Sequence, residues 1–228
     1  IAPVRLGVSS KQSAKALLGA ANCEVYVFDG PAPAGNVGVQ INHIDPINKG
    51  EVVWTLGAEE VIMLGRLMKT GKVDFTRTIA LAGSEVKAPK YYKMKVGQKL
   101  STLLAGQVAE GDVRVINGNP MTGVKTCKEG YLAAHATEVT AIPEGAEADE
   151  MLGWIMPRFS MFSTHRSYFS WLLGSKKEYV LDARVKGGER HMIMSGEYDK
   201  VFPMDIYAGY LIKAIITGDI DRQEALGI

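Results

Sequence analysis

Along the first eighty residues the apolar positions switch repeatedly between strand-like runs and a helical period. Val4–Val8 is a short, partly apolar run. Ser9 and Ser10 follow as candidate N-caps, and Ala14, Leu17, Leu18 and Ala21 then share one helical face. Val25–Phe28 is a β-branched and aromatic run that stops at Asp29-Gly30, as a buried strand would. Asp45-Pro46 and Asn48-Lys49-Gly50 mark turns, and Val52–Leu56 reads as another strand. Ala58–Thr70 carries the strongest helical signal. Glu59 and Glu60 suit the positive end of the helix dipole, Val61, Leu64 and Met68 form an apolar stripe, and Gly71 is placed to end the helix. Val73–Ala82 predicts a strand closed by Gly83. Strands alternating with helices predict parallel βαβ units, hence part of a doubly wound sheet.

From Lys87 to about Glu144 the pattern becomes one of short strands and turns. Tyr92, Met94 and Val96 alternate with Lys93 and Lys95, as in a half-buried strand. Leu100–Ala105 predicts one short helix. Val113–Ile116 and Ala136–Ile142 predict strands, with a turn at Asn117–Pro120. Pro143–Asp149 reads as a linker or surface loop. Aromatics gather in the last third, and Ala208, Leu211, Ile212 and Ile215 share the face of a final helix that Pro203 precedes and Gly218 ends.

Composition narrows the picture. Apolar residues make up 46% of the 228 and charged residues 22%, as in globular domains, which excludes wholesale disorder. Twenty-six basic residues against 25 acidic leave a charge of +1, so no global field draws the chain to nucleic acid or to an anionic membrane. No run approaches the ~18 apolar residues that a membrane helix needs. Cys23 and Cys127 are the only cysteines and lie far apart, so no CxxC site arises, and their scarcity suggests an intracellular protein. A start without Met and an end at ALGI read as an excised fragment of a longer protein.

Candidate chemistry is sparse. Gly30–Gly38 (GPAPAGNVG) follows a strand, and such a loop lets backbone N–H groups approach a ligand closely. It is neither GxGxxG nor a P-loop, and it reads equally as a rigid connection. As a ligand loop, its candidate residues are Gly30, Gly35, Asn36 and Gly38. N–H groups of Gly35, Asn36 and Gly38 would be donors, and Val37 and Val39 an apolar wall for a flat, neutral head group. Lys87, Lys90, Lys93, Lys95 and Lys99, interleaved with Tyr91 and Tyr92, read as a solvated face or as a dock for an acidic partner. His43, His135, His165 and His191 have no metal-helix spacing and read as surface or locally satisfied histidines. Phe162–Tyr168 is a polar-aromatic patch fit to meet a partner or an anion. No catalytic nucleophile–base pair is recognisable, so the fragment is not expected to be a complete catalyst.

Several strings resemble a known family. Gly30–Gly35 (GPAPAG) is similar to GPHPAG, and Val53–Leu56 with Val61–Leu67 to VWT…VIAIGRL. Arg77–Gly83 is similar to RVIALGG, Gly187–Asp205 to GGDRAMVPIGNYERVMPLD, and Gly218–Gly227 to GDTDSAQALG. Gly153-Trp154, Phe162-Ser163 and Arg166 resemble a GW…FS…R pattern. All belong to the NqrA subunits of the Na+-translocating NADH:quinone reductases. Val86–Gly123, with Gly111–Gly118 (GDVRVING), resembles the SLBB (soluble-ligand-binding β-grasp) module. Ala32 replaces the family's His, and Met194-Ser195 its Pro-Ile.

The resemblance implies a mixed α/β and α+β chain. Its parts would be a Rossmann-like portion over 1–83, an SLBB β-grasp domain over 84–144 and a mixed, mainly helical part over 145–228. It implies a peripheral subunit on the cytoplasmic side of the bacterial inner membrane, structural or docking in role, with contact to quinone. The fragment would hold no tightly bound cofactor and no metal. The parent complex would use flavins, an iron–sulfur centre and quinone, with NADH as donor. Its partners would be the other subunits. Two other readings stay open: a small-molecule-binding β-grasp module, and the RnfC subunit of an Rnf-type electron-transfer complex.

Overall fold

A computed structural model describes residues 2–12, 14–146, 152, 155–162, 166, 168–174, 176–184, 196 and 198–227. Its internal contacts gather the chain into two units, Ile1–Leu56 with Glu189–Ile228, and Gly57–Gly188.

In the first unit, β1 (Arg5–Ser9) and β2 (Glu24–Phe28) pair in parallel, from Arg5 opposite Glu24 to Ser9 opposite Phe28. The crossover between them carries α1 (Lys15–Leu18), a single turn where the apolar spacing suggests a longer helix. The glycine-rich segment departs more from expectation. It is a 3₁₀ turn over Ala32–Gly35 followed by α2 (Val37–Ile44), not an open loop. Val39 is buried on α2 and Val8 on β1. A Cβ on Gly7 of β1 would fall 2.2 Å from Gln40 Oε1 of α2, so the glycine leaves room for the Gln40 side-chain amide over the strand. Val52–Leu56, predicted as a strand, has no pairing partner among the described residues; Trp54 is 90% exposed and the run is irregular. β-branched residues favour a strand only where a ladder is available to join.

The unit closes with α5 (Ala208–Thr217) and α6 (Ile220–Ala225). Gly218 ends α5 with φ +68°, and the Asp219 side chain caps α6 by accepting from Arg222 N. Helix α5 begins well past Pro203, whose carbonyl has another use described below.

The second unit opens with α3 (Ala58–Thr70), bounded as predicted, with Gly71 left-handed at φ +67°. A five-stranded mixed sheet follows: β3 (Thr76–Ala82), β4 (Lys90–Lys95), β5 (Val113–Asn117), β6 (Val124–Thr126) and β7 (Glu138–Pro143), in the order β4-β3-β7-β5-β6. Only β3 and β7 run parallel. Ile79, Leu81, Met94, Val115, Val139 and Ala141 are buried in its core, with Leu103 and Leu104 of the short α4 (Ser101–Leu104). The fold is therefore α+β in this unit. Strand β3 follows α3 in the alternating pattern, but it pairs with β4 and β7 and not with β1 or β2. At its end Gly83 sits at φ +116°, and a Cβ there would lie 2.0 Å from Ala141 O of β7. Among described residues of 145–228, the helical elements are a 3₁₀ turn over Phe169–Leu173 with α5 and α6.

Candidate functional site

Strand β2 ends at Phe28, and the chain turns sharply at Asp29 and Gly30. Gly30 has φ +151°, and a Cβ there would stand 3.3 Å from Ala34 Cβ, so the turn into the 3₁₀ segment needs glycine. The Ser10 hydroxyl donates to Asp29 Oδ1 at 2.8 Å, and Ser10 N donates to Phe28 O, tying the carboxyl end of β1 to the turn. These contacts frame a cleft of about 180 Å³ lined by Phe28, Asp29, Gly30, Pro31, Pro33, Ala34, Val39, His43, Val201 and Pro203. It lies beyond the carboxyl ends of parallel strands, where open α/β sheets bind ligands. The walls are mostly apolar. The polar groups are the Asp29 carboxylate and the His43 ring, whose Nε2 donates to Pro203 O at 2.9 Å. With Nε2 so engaged, a neutral His43 offers Nδ1 as an acceptor.

Of the four residues read as a ligand loop, Gly30 lines the cleft; Gly35, Asn36 and Gly38 do not. The Asn36 N–H is already spent on Pro33 O at 3.0 Å, and a Cβ on Gly35 or Gly38 would meet nothing within 4 Å. Coiling into a 3₁₀ turn spends the Asn36 donor on the segment's own backbone and carries Gly38 into the first turn of α2. Of the expected apolar wall, Val39 contributes and Val37 is exposed. His43 and Val201–Pro203 join from distant parts of the sequence, so no local pattern marks them.

Three further groupings hold chemistry. Arg77 on the inner face of β3 is 1% exposed. Its guanidinium donates to Ala134 O at 2.6 Å, Ala136 O at 3.1 Å and Glu60 Oε1 of α3 at 2.8 Å, while its Nε has no partner. Burial pushes the Glu60 carboxyl up, but the Arg77 hydrogen bond and charge, with help from His135, hold it below the usual range. Glu144 accepts from Arg114 Nε and Nη2 (2.9 and 2.5 Å) and from Lys125 Nζ (2.8 Å), which holds its carboxyl down to about 2. Both clusters join structural elements, α3 to β3 in the first and β5, β6 and the end of β7 in the second.

The lysine-rich strand β4 is an edge of its sheet, with Lys93 and Lys95 exposed and Lys90 Nζ 5.1 Å from the Tyr92 ring centre. Edge lysines suit a strand kept from pairing with other chains. Cys23 and Cys127 are both free thiols. Among the described residues no group of three or more His, Cys, Asp or Glu could hold a metal ion, and no helix is long and apolar enough to cross a membrane. His165, His191, the whole of Gly187–Ser195 and much of Phe162–Tyr168 lie outside the described residues.

Two family models match the chain: residues 2–73 match the NqrA second alpha/beta domain, and residues 78–128 the NQRA C-terminal domain, an SLBB module. Among curated proteins, the chain is 38% identical over 208 residues to the NqrA subunit of the Na(+)-translocating NADH-quinone reductase of Pasteurella multocida. It is 40% identical over 210 residues to that of Glaesserella parasuis and 36% over 209 to that of Neisseria meningitidis. Each match takes in 91% of this chain and 46% of the relative, so the chain spans about half the length of the proteins it resembles.

Proposed function

The chain belongs to the NqrA family of NADH-quinone reductase subunits, and from that premise we propose that it serves as a peripheral, non-redox part of a Na+-pumping NADH:quinone oxidoreductase. The observation that carries this reading is the similarity at 36–40% identity along 91% of the chain, through both family models. In this reading the α/β part, residues 1–83, supplies most of the cleft, and Val201 and Pro203 complete it. The SLBB part, 84–144, with β3 shared into its sheet, is the rigid scaffold, and residues 145–228 meet other subunits on the cytoplasmic side of the membrane. Flavins, the iron–sulfur centre and the NADH site belong to companion subunits. In this reading the work assigned to this chain is docking and positioning.

The test is purification of the full-length parent from its own membranes. Sodium-stimulated quinone reduction by NADH should travel with it. Recovery free of companion subunits, or within a complex lacking that activity, would overturn the assignment.

The cleft supports a second element of the proposal, contact with quinone. At about 180 Å³ it is smaller than the ~300–1,000 Å³ of common ligand sites, so it suits one flat head group and not a dinucleotide. Phe28, Pro33 and Val39 supply the apolar walls. Gly30 keeps the rim open, and Gly35, Asn36 and Gly38 hold the 3₁₀–helix junction behind it. A neutral His43 accepts at Nδ1 and so matches the hydroxyl of a quinol; a protonated one donates and matches a quinone carbonyl. Val39→Trp would fill the cleft. In the assembled complex it should raise the KM for quinone while sparing oxidation of NADH by an artificial acceptor. An unchanged KM would leave the cleft as scaffold.

A further inference from the structure

The geometry points to a lipid contact: we propose that the aromatic and basic cluster within residues 155–181 rests on the headgroup region of an anionic bilayer. The cluster is a built substructure. Ser170 is buried and donates to Met161 O at 2.6 Å, Phe169 N donates to Pro157 O, and Tyr179 OH donates to Ser170 O. Phe159 packs on Phe169 at 6.1 Å between ring centres, and Phe162 meets Tyr179 edge-on at 5.8 Å. These ties hold three stretches of chain together. They also thrust the tip of the 3₁₀ turn outward, where Phe169, Trp171, Leu172 and Leu173 are 52, 47, 59 and 52% exposed.

Charge decides the occupant. The whole chain is nearly balanced, but residues 155–181 carry Arg158, Arg166, Lys176 and Lys177 against one acid, Glu178. Arg166 and Lys176 flank the turn in sequence. Arg158 lies 5.8 Å from the Tyr168 ring, Arg166 5.3 Å from Trp171 and Lys177 5.2 Å from Tyr179, and Lys177 also donates to Phe159 O. Three of the four cations thus lie over aromatic rings of the same cluster. Rings that are apolar on one side and polar on the other collect at membrane–water interfaces, and basic residues beside them bind anionic headgroups. An acidic protein groove would match the charges, but an exposed Phe–Trp–Leu–Leu tip with Arg166 over Trp171 and Lys176 just past the turn matches the depth profile of a bilayer interface. No spanning helix is needed. The inference stands on these residues alone, so failure here would leave the family assignment intact.

The experiment is co-sedimentation of the full chain with vesicles of phosphatidylcholine alone or with one third phosphatidylglycerol. Binding is expected to the second only and to weaken in high salt. Lys176→Glu with Lys177→Glu should weaken it at least about tenfold, and Leu172→Ser should weaken it independently. Lys176 and Leu172 are exposed and Lys177 is half-buried against Tyr179, and retained far-ultraviolet circular dichroism confirms that each variant folds. Position is read from single-tryptophan proteins. With Trp54 and Trp154 changed to Phe, Trp171 emission should shift to the blue and be quenched by brominated lipid; a protein keeping only Trp54 should show neither. Absence of binding to anionic vesicles, binding that survives both variants, or an unmoved Trp171 would each overturn the proposal. So would a Trp171 shift produced by companion subunits in detergent but not by lipid, which would make the occupant a protein.

Discussion

Removing the Arg77 guanidinium tests the account of how α3 is fastened to the five-stranded sheet. Arg77→Met keeps the apolar stem and deletes three hydrogen bonds, two to the Ala134 and Ala136 carbonyls and one to Glu60. A buried acceptor stripped of its donor costs ~1–3 kcal/mol, which applies in full to Ala136 O and in part to Ala134 O, whose residue is exposed. Stranding a buried charge costs ~3–5 kcal/mol, but the Glu60 side chain is 26% exposed and regains water, so its share is smaller. The net loss comes to about 3 kcal/mol, roughly a hundredfold in the folding equilibrium. At ~2–4 °C per kcal/mol for a chain of this size, the midpoint should fall by about 6–12 °C.

Glu60→Gln retains an acceptor oxygen and loses only charge, for about 1 kcal/mol. Urea titration, read as a shift of midpoint at constant slope, measures each. Because the two residues share one bond, the double variant should cost less than the sum of the singles by at least ~0.5 kcal/mol. Full additivity, or an Arg77→Met loss below ~1 kcal/mol, would refute the claim that this pair anchors the helix.

Other expectations follow from single sites. The Glu144 carboxyl is held down to about 2 in the fold against about 4.5 unfolded, so its contribution is fully present above pH ~4.5 and is lost as pH falls toward 2. Glu144→Gln should flatten that part of an acid stability profile, and an unchanged profile would remove Glu144 from the account. Gly83→Ala should block folding or lower the midpoint severely, because its Cβ would strike Ala141 O. Gly35→Ala has open space and should be neutral or stabilise by up to ~1 kcal/mol, as thermal melts of the two would show. Met68→Gln on the exposed face of α3 should leave thermal stability within about 0.5 kcal/mol, whereas a large loss would mean that the face is buried.

Local periodicity locates most elements. The stripe of Val61, Leu64 and Met68, with Gly71 after it, matches α3, and Tyr92 and Met94 alternating with lysines match β4. Such signals depend only on neighbours within one or two turns. Partnership is a different kind of information. Strand β3 reads like the next strand of an alternating α/β series, yet its buried Arg77, Ile79 and Leu81 face the core shared with β7, about sixty residues on. Nothing within Thr76–Ala82 marks that choice. Val52–Leu56 has the composition of a strand and no ladder to join. The glycine-rich segment misleads for the opposite reason: its prolines and glycines read as breakers, yet they also suit a 3₁₀ turn opening into α2. His43 reaches the cleft through Pro203, a contact that no spacing rule anticipates.

Where apolar surface remains exposed bears on the docking role. The five-stranded sheet buries its apolar residues well, with Ile79, Val139 and Ala141 fully enclosed. In contrast Trp54, Leu56, Val61, Leu64, Met68 and Phe75 are all exposed, though the helical ones have the spacing of a buried stripe. The β1–β2 pair is likewise only two strands wide. Parallel sheets are stable when both faces are covered and several strands contribute, and two strands alone are marginal. A catalyst working alone would gain nothing from such surfaces and would bear their aggregation risk. A subunit gains partners from them. Under the proposed role, the surfaces left open by this chain are those that the other half of a protein about twice its length, and its companion subunits, would cover.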